Sequence, residues 1–115
     1  MQSPLQITFR HMAPSSTVTE RIREYVARLE RFHDNVIGCH VVVDAPAAHR
    51  NKGAPFEVHI EATLPGKELF VRSNHADSSA HADVYVALRD AFDDMKRAMR
   101  EYENSRNAAA GRLGT

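Results

Sequence analysis

Leu5, Ile7 and Phe9 alternate with Gln6, Thr8 and Arg10, the two-residue period of a strand with one face on a core and the other toward water. The run stops at Ala13-Pro14-Ser15-Ser16, where either serine is placed to cap a helix. Beyond it Val18, Ile22, Tyr25, Val26, Leu29 and Phe32 recur at steps of three and four, which puts them on one helical stripe. After Asp34-Asn35, the segments VIGCHVVVD and FEVHIEATL predict two more strands, joined by the loop APAAHRNKGAP. In the second of these Phe56, Val58, Ile60, Ala62 and Leu64 take one face, and Glu57, His59, Glu61 and Thr63 the other. Pro65-Gly66 supplies a tight turn into a fourth strand, KELFVRS, with Leu69 and Val71 inward. The stretch NHADSSAHAD then offers caps for a last helix, DVYVALRDAFDDMKRAMREYE, residues 83–103. There Val84, Tyr85, Leu88, Phe92, Met95, Met99 and Tyr102 share a stripe, a spacing that marks core rather than a cofactor site.

This order, β-α-β-β-β-α, defines an α+β fold: a four-stranded sheet with two helices packed on one face, because each element has a single apolar side to bury. Thr8, Arg10, His40, Asp44, Glu57, His59, Glu61 and Arg72 then fall on the sheet face left to solvent, as an antiparallel sheet permits. A chain of 115 residues, 43% hydrophobic and 26% charged, suits one compact domain, expected over residues 1–104. The end NSRNAAAGRLGT lacks any pattern and predicts a flexible tail over 105–115. With no basic leader and no apolar run of about eighteen residues, the chain is expected to be cytoplasmic, without a membrane partner.

The chemistry is sparse. Cys39 stands alone, which excludes an intrachain disulfide and fits a small buried residue on a strand. There is no G-x-S-x-G, P-loop or H-E-x-x-H pattern, and five single glycines form no phosphate cradle, so no enzyme, small-molecule substrate or cofactor is expected. His40 and His59 are placed to be cross-strand neighbours, and His75 and His81 flank the start of the last helix. Without a third strong ligand they read as surface or capping residues, and no metal is expected.

Fifteen basic residues balance fifteen acidic ones, so attraction to an anion has to come from local arrangement. At about 100° per residue, Arg89, Lys96 and Arg100 gather in one sector beside the apolar stripe of the last helix, with Arg97 at its back. Asp90, Asp94 and Glu101 take the opposite flank. In the first helix Arg21, Arg23, Arg28 and Arg31 are interspersed with Glu20, Glu24 and Glu30, and Glu24 to Arg28 has ion-pair spacing. The loop cations His49, Arg50 and Lys52 form a second-rank contact candidate. Arginine outnumbers lysine twelve to three, which suits bidentate phosphate contacts. Seven histidines, ordinarily titrating near 6.5, make the chain more cationic in mild acid, so affinity for an anionic partner is expected to rise from about pH 7.5 to 6.

The element order, the first-helix segment TERIREYVARLERF, and His81, Asp83, Tyr85, Ala87 and Leu88 in a pattern of the type H-x-D-x-Y-x-A-[IL] carry a resemblance. From about Leu5 to Tyr102 the chain resembles the short form of the ribosome hibernation promoting factor and ribosome-associated translation inhibitor family. The resemblance implies a layout like that of double-stranded-RNA-binding domains. It also implies a non-enzymatic factor that binds the small ribosomal subunit, contacts rRNA through its helices and occupies the tRNA and mRNA region, with a role in the stress response. Arg23, Arg28, Arg31 and Arg97 match basic positions of that family, and with Arg89, Lys96 and Arg100 they complete the expected rRNA-binding set. Asp94 and Glu101 stand where the family commonly has lysine. Pairing of ribosomes, a property of the long form, is not expected. The alternative is a protein-protein regulatory module of the same fold, of the sigma-factor modulation type, with other protein partners and no RNA.

Overall fold

A computed structural model describes residues 4–33, 35–45, 55–73 and 83–113. The elements run β1 (Leu5–Arg10), α1 (Ser16–Phe32), β2 (Gly38–Asp44), β3 (Glu57–Leu64), β4 (Lys67–Ser73) and α2 (Val84–Leu113). The strands form one sheet in the order β1-β2-β3-β4. β2, β3 and β4 pair antiparallel, whereas β1 runs parallel to β2, Ile7 opposite Val41 and Phe9 opposite Val43. The sheet is therefore mixed rather than purely antiparallel. A helix between two neighbouring strands returns the chain to the end it left, so α1 makes the pair it connects parallel.

Local chemistry sets the boundaries. Ser15 caps α1: its hydroxyl accepts from the Val18 N–H at 3.2 Å, and the Thr19 hydroxyl donates back to the Ser15 carbonyl at 2.9 Å. At the other end the His33 N–H donates to the Leu29 carbonyl at 2.8 Å. Asp83 caps α2 by accepting from the Tyr85 N–H at 2.9 Å. Between β3 and β4, Leu64 pairs with Lys67 across a two-residue turn in which Gly66 has φ 75°. Pro65 before a glycine at positive φ has the form of a type II turn. His11 has φ 57°, unusual for a residue with a Cβ, and its ring meets Asp44 at 2.8 Å just past the β1–β2 pair.

Both helices pack on one sheet face, α2 across β3 and β4 and beside α1. Val18, Ile22, Val26 and Leu29 of α1 and Leu88, Phe92, Met95 and Met99 of α2 meet Val41, Val43, Val58, Ile60 and Ala62 in one core. Cys39 is buried in the same cluster as a free thiol, as its place on a strand predicts.

Four expectations are corrected or refined. Phe32 leaves the core and is 71% exposed, because it turns toward the α2 side on the last turn of α1, while the capping His33 takes the covered place at 9%. α2 does not stop at Glu103 but continues as helix to Leu113, through most of the 105–115 segment expected as a flexible tail. A helix needs an apolar stripe only where it is covered, and Ala108, Ala109 and Ala110 propagate one by propensity. His40 and His59 are diagonal neighbours on one sheet face rather than a directly opposed pair: His40 stands opposite Glu61, and His59 opposite Val42 and Arg72. Finally, Glu24 lies 4.0 Å from Arg21 rather than against Arg28, whose guanidinium sits 5.5 Å from the Tyr25 ring centroid.

Candidate nucleic-acid interface

The two helices touch through a short list of side chains that also fixes a groove between them. Tyr25 of α1 stacks on Phe92 of α2, ring centroids 4.9 Å apart and planes 13° from parallel. Toward the start of the helices the Tyr85 hydroxyl donates to Thr17 Oγ1 at 3.0 Å, and the Arg21 guanidinium lies 4.9 Å from the Tyr85 ring centroid. Toward the other end His33 Nδ1 meets Glu103 Oε1 at 2.6 Å. Between the Tyr25–Phe92 stack and His33 a cleft of about 100 Å³ opens, walled by Arg28 and Phe32 on α1 and by Asp93 and Lys96 on α2.

All seven cations named from the sequence are exposed. The structure brings Arg28 and Lys96 together on opposite walls of the cleft. By helical spacing Arg89 and Arg100 share the flank of Lys96, with the Arg89 guanidinium drawn from it toward Asp90. Arg31 is on the outermost line of α1. Arg23 faces away, lining an open hollow with Leu5, Ile7, Phe9 and Pro14 at the β1 edge. Arg97 lies at the back of α2, its guanidinium drawn toward the far flank by Asp94 at 3.2 Å, and Arg89 holds Asp90 at 3.2 Å. Exposed pairs of this kind contribute only about 0 to 1 kcal/mol, so they stay open to exchange for another anion. Among the described residues, no ion pair engages Arg28, Lys96 or Arg100. The loop candidates His49, Arg50 and Lys52, and His75 and His81, lie outside the described residues.

Sequence reasoning missed two members of the groove. Phe32 has the spacing of the core stripe, and its place on the last turn before Asp34-Asn35 is the signal that could mark it as exposed. Asp93, one acid of the polar face of the last helix, stands among cations on the helical wheel and lies on the cleft wall beside Lys96.

The opposite sheet face differs in character. Thr8 and His40 share a hydrogen bond at 2.9 Å, His59 meets Phe70 edge-on at 6.1 Å, and Phe70 is 60% exposed among Glu57, Glu61 and Arg72. His11, His40 and His59 lie on the β-strand side and His33 is held by Glu103. None of these four extends the cation surface into solvent. Among the described residues no three His, Cys, Asp or Glu side chains gather to hold a metal. No helix among them is long and apolar enough to cross a membrane.

The sequence matches the family described as Sigma 54 modulation protein / S30EA ribosomal protein over residues 5–107. The chain belongs to that family, and its fold is the family's mixed four-stranded sheet with two helices. Among solved structures it is similar to a ribosomal subunit interface protein from Coxiella burnetii, with TM-score 0.64 and 16% identity over 88% of this chain and 98% of that one. It is also similar to the N-terminal domain of Protein Y from Thermus thermophilus, with TM-score 0.62 and 20% identity over 84% and 94%. Comparison with curated proteins gives no match.

Proposed function

We propose that the chain is a non-enzymatic ribosome-binding factor that docks the α1–α2 face on rRNA of the small subunit and inhibits translation by occupying the tRNA and mRNA region. The observation that carries this reading is the meeting of Arg28 and Lys96 across the groove, with Arg89 and Arg100 on the same flank. A neutral chain can bind a polyanion when its cations are concentrated on one surface and its acids lie elsewhere. Here Asp90, Asp94 and Glu101 fall on the far flank of α2, which turns their repulsion away from the groove, while Asp93 stays on its wall beside Lys96. Family membership supports the same reading, as does the likeness to a protein named for the ribosomal subunit interface. Such a factor works in the cytoplasm.

Cosedimentation with purified small subunits across a salt series tests it. The expected result is binding that weakens steeply with salt, with a shallower slope after Lys96→Glu or Arg28→Glu. Salt-insensitive binding, or none in dilute buffer, overturns it. A second reading, a protein-binding regulator of the sigma-factor type, draws on the Arg89–Asp90 and Arg97–Asp94 pairs, which give the outer side of α2 a mixed polar surface. It predicts a protein partner whose binding is lost on changing Arg97 and Asp94 rather than Lys96.

A further inference from the structure

The cleft between the helices holds a combination that phosphate binding does not explain. Arg28 and Lys96 suit an anion, but Asp93 stands on the same wall as Lys96 and makes no ion pair among the described residues. A carboxylate beside a phosphate repels it. Phe32 is equally unexplained, because it leaves a 71% exposed ring bordering a cleft floored by the Tyr25–Phe92 stack. A ligand that satisfies all four side chains carries a negative charge, a flat aromatic face and a pair of adjacent N–H donors.

We infer that the cleft takes an unpaired guanosine of an RNA strand, its base against Phe32, its N1–H and N2–H donating to the Asp93 carboxylate, and its phosphate neutralised by Arg28 and Lys96. Guanine alone among the four bases presents two neighbouring N–H donors on its pairing edge. Adenine and cytosine set one amino group beside an acceptor nitrogen, and uracil sets one N–H between two carbonyls. The pairing edge is free only in a single-stranded or bulged nucleotide, where a base can be splayed out and stacked on an aromatic side chain. The ligand belongs to a strand rather than to a free nucleotide because the cations run on: Arg89 to Arg100 spans about 16 Å of helix, longer than one nucleotide. The inference rests on the RNA-docking reading and adds base selectivity to it.

The test uses two labelled uridine-rich RNAs, identical except for one central guanosine or adenosine, titrated with the full chain and followed by fluorescence anisotropy. The guanosine RNA is expected to bind about tenfold tighter, within the range a bidentate base contact supplies. Asp93→Asn brings that ratio close to one and tightens the adenosine RNA, since a negative charge leaves the groove. Phe32→Ala weakens both RNAs several-fold. Both side chains are exposed, so the variants keep their fold, which circular dichroism verifies. Equal binding of the two RNAs by the unaltered chain, an Asp93→Asn variant that retains the preference, or no binding of either RNA at low salt overturns the guanosine site. Salt-sensitive binding to small subunits alongside equal RNA affinities removes the site and leaves the docking surface standing. Guanosine-selective binding by a chain that ignores small subunits does the reverse.

Discussion

His33 Nδ1 lies 2.6 Å from Glu103 Oε1, tying the residue that caps α1 to a point on α2 seventy positions later in the chain. The imidazole is almost covered and the carboxylate is partly open, so one partner bears most of the desolvation if the link is cut. Glu103→Ala is expected to cost about 1 to 2 kcal/mol in urea unfolding, and loss of the bond in His33→Ala to cost less, since the carboxylate it frees is partly open to water. The two together cost less than the sum, because each single change removes the same bond. Hydrogen exchange in α2 beyond Met99 speeds up in either variant. Additive losses with unchanged exchange would show that the contact does not anchor the helix.

The hairpin between β3 and β4 depends on one backbone angle. Gly66 sits at φ 75° with open space where a Cβ would be, so a substitution there meets no neighbour and is penalised by conformation alone. Gly66→Ala is expected to destabilise by about 1 to 2 kcal/mol, and Gly66→Asn by less, since asparagine tolerates the left-handed region. Denaturant midpoints of the two variants give the comparison. Equal losses would mean that the turn changes form rather than holding strain.

Much of this architecture is written in the order of apolar positions. Val41 and Val43, or Val58, Ile60 and Ala62, could only face a core, and the steps Ile22–Val26–Leu29 and Leu88–Phe92–Met95–Met99 fix which helix sides meet it. The same signal fails at edges. Phe32 has the spacing of a core residue, but whether a neighbouring element covers it is decided by tertiary packing, which no local pattern encodes. The helical stretch beyond Glu103 escaped notice for the opposite reason, since periodicity reports burial and not helicity. For the groove, helical spacing placed Arg89, Lys96 and Arg100 in one sector. That Arg28 faces them, and that Arg23 does not, follows from the tertiary packing of Tyr25 on Phe92.

That stack is itself a test of how the groove is held open. Phe92→Ala removes a buried ring from the interface and is expected to cost about 3 to 5 kcal/mol. Tyr25→Ala costs less because Tyr25 is only half-buried. A double-mutant cycle should return a coupling of about 0.5 to 1.5 kcal/mol, the usual worth of an aromatic pair beyond its area. A coupling near zero would mean that the rings are neighbours without mutual stabilisation.

Cys39 predicts a pH dependence. Burial, with the Glu30 carboxylate adding to it, pushes its thiol from an ordinary 9.0 up to about 11. The folded chain therefore keeps a proton that the unfolded chain gives up. The contribution is whole below pH 9.0 and is lost as pH climbs through about 11. Two units correspond to a loss on the order of 2 to 3 kcal/mol. Unfolding free energies measured across this window should fall more steeply for the unaltered chain than for Cys39→Ala, which lacks the group. Parallel curves for the two would assign the alkaline loss to other residues.

Lys96 and Arg97 are neighbours in sequence with opposite surroundings, and they give the sharpest test of where RNA lies. Lys96 stands on the cleft wall facing Arg28, whereas Arg97 points to the far flank and is already paired with Asp94. If rRNA runs along the groove, Lys96→Glu removes a phosphate contact and places a carboxylate in its path. Small-subunit affinity then drops by tenfold or more, and the logarithmic salt slope becomes shallower by about one unit. Arg97→Glu sets a new charge beside Asp94 on a surface the RNA does not reach, so its effect stays within about twofold and the slope is unchanged. The reverse ranking, with Arg97 dominant, would move the RNA to the outer flank of α2, and with it the role of Asp94 and Glu101 from bystanders to repulsive neighbours of phosphate.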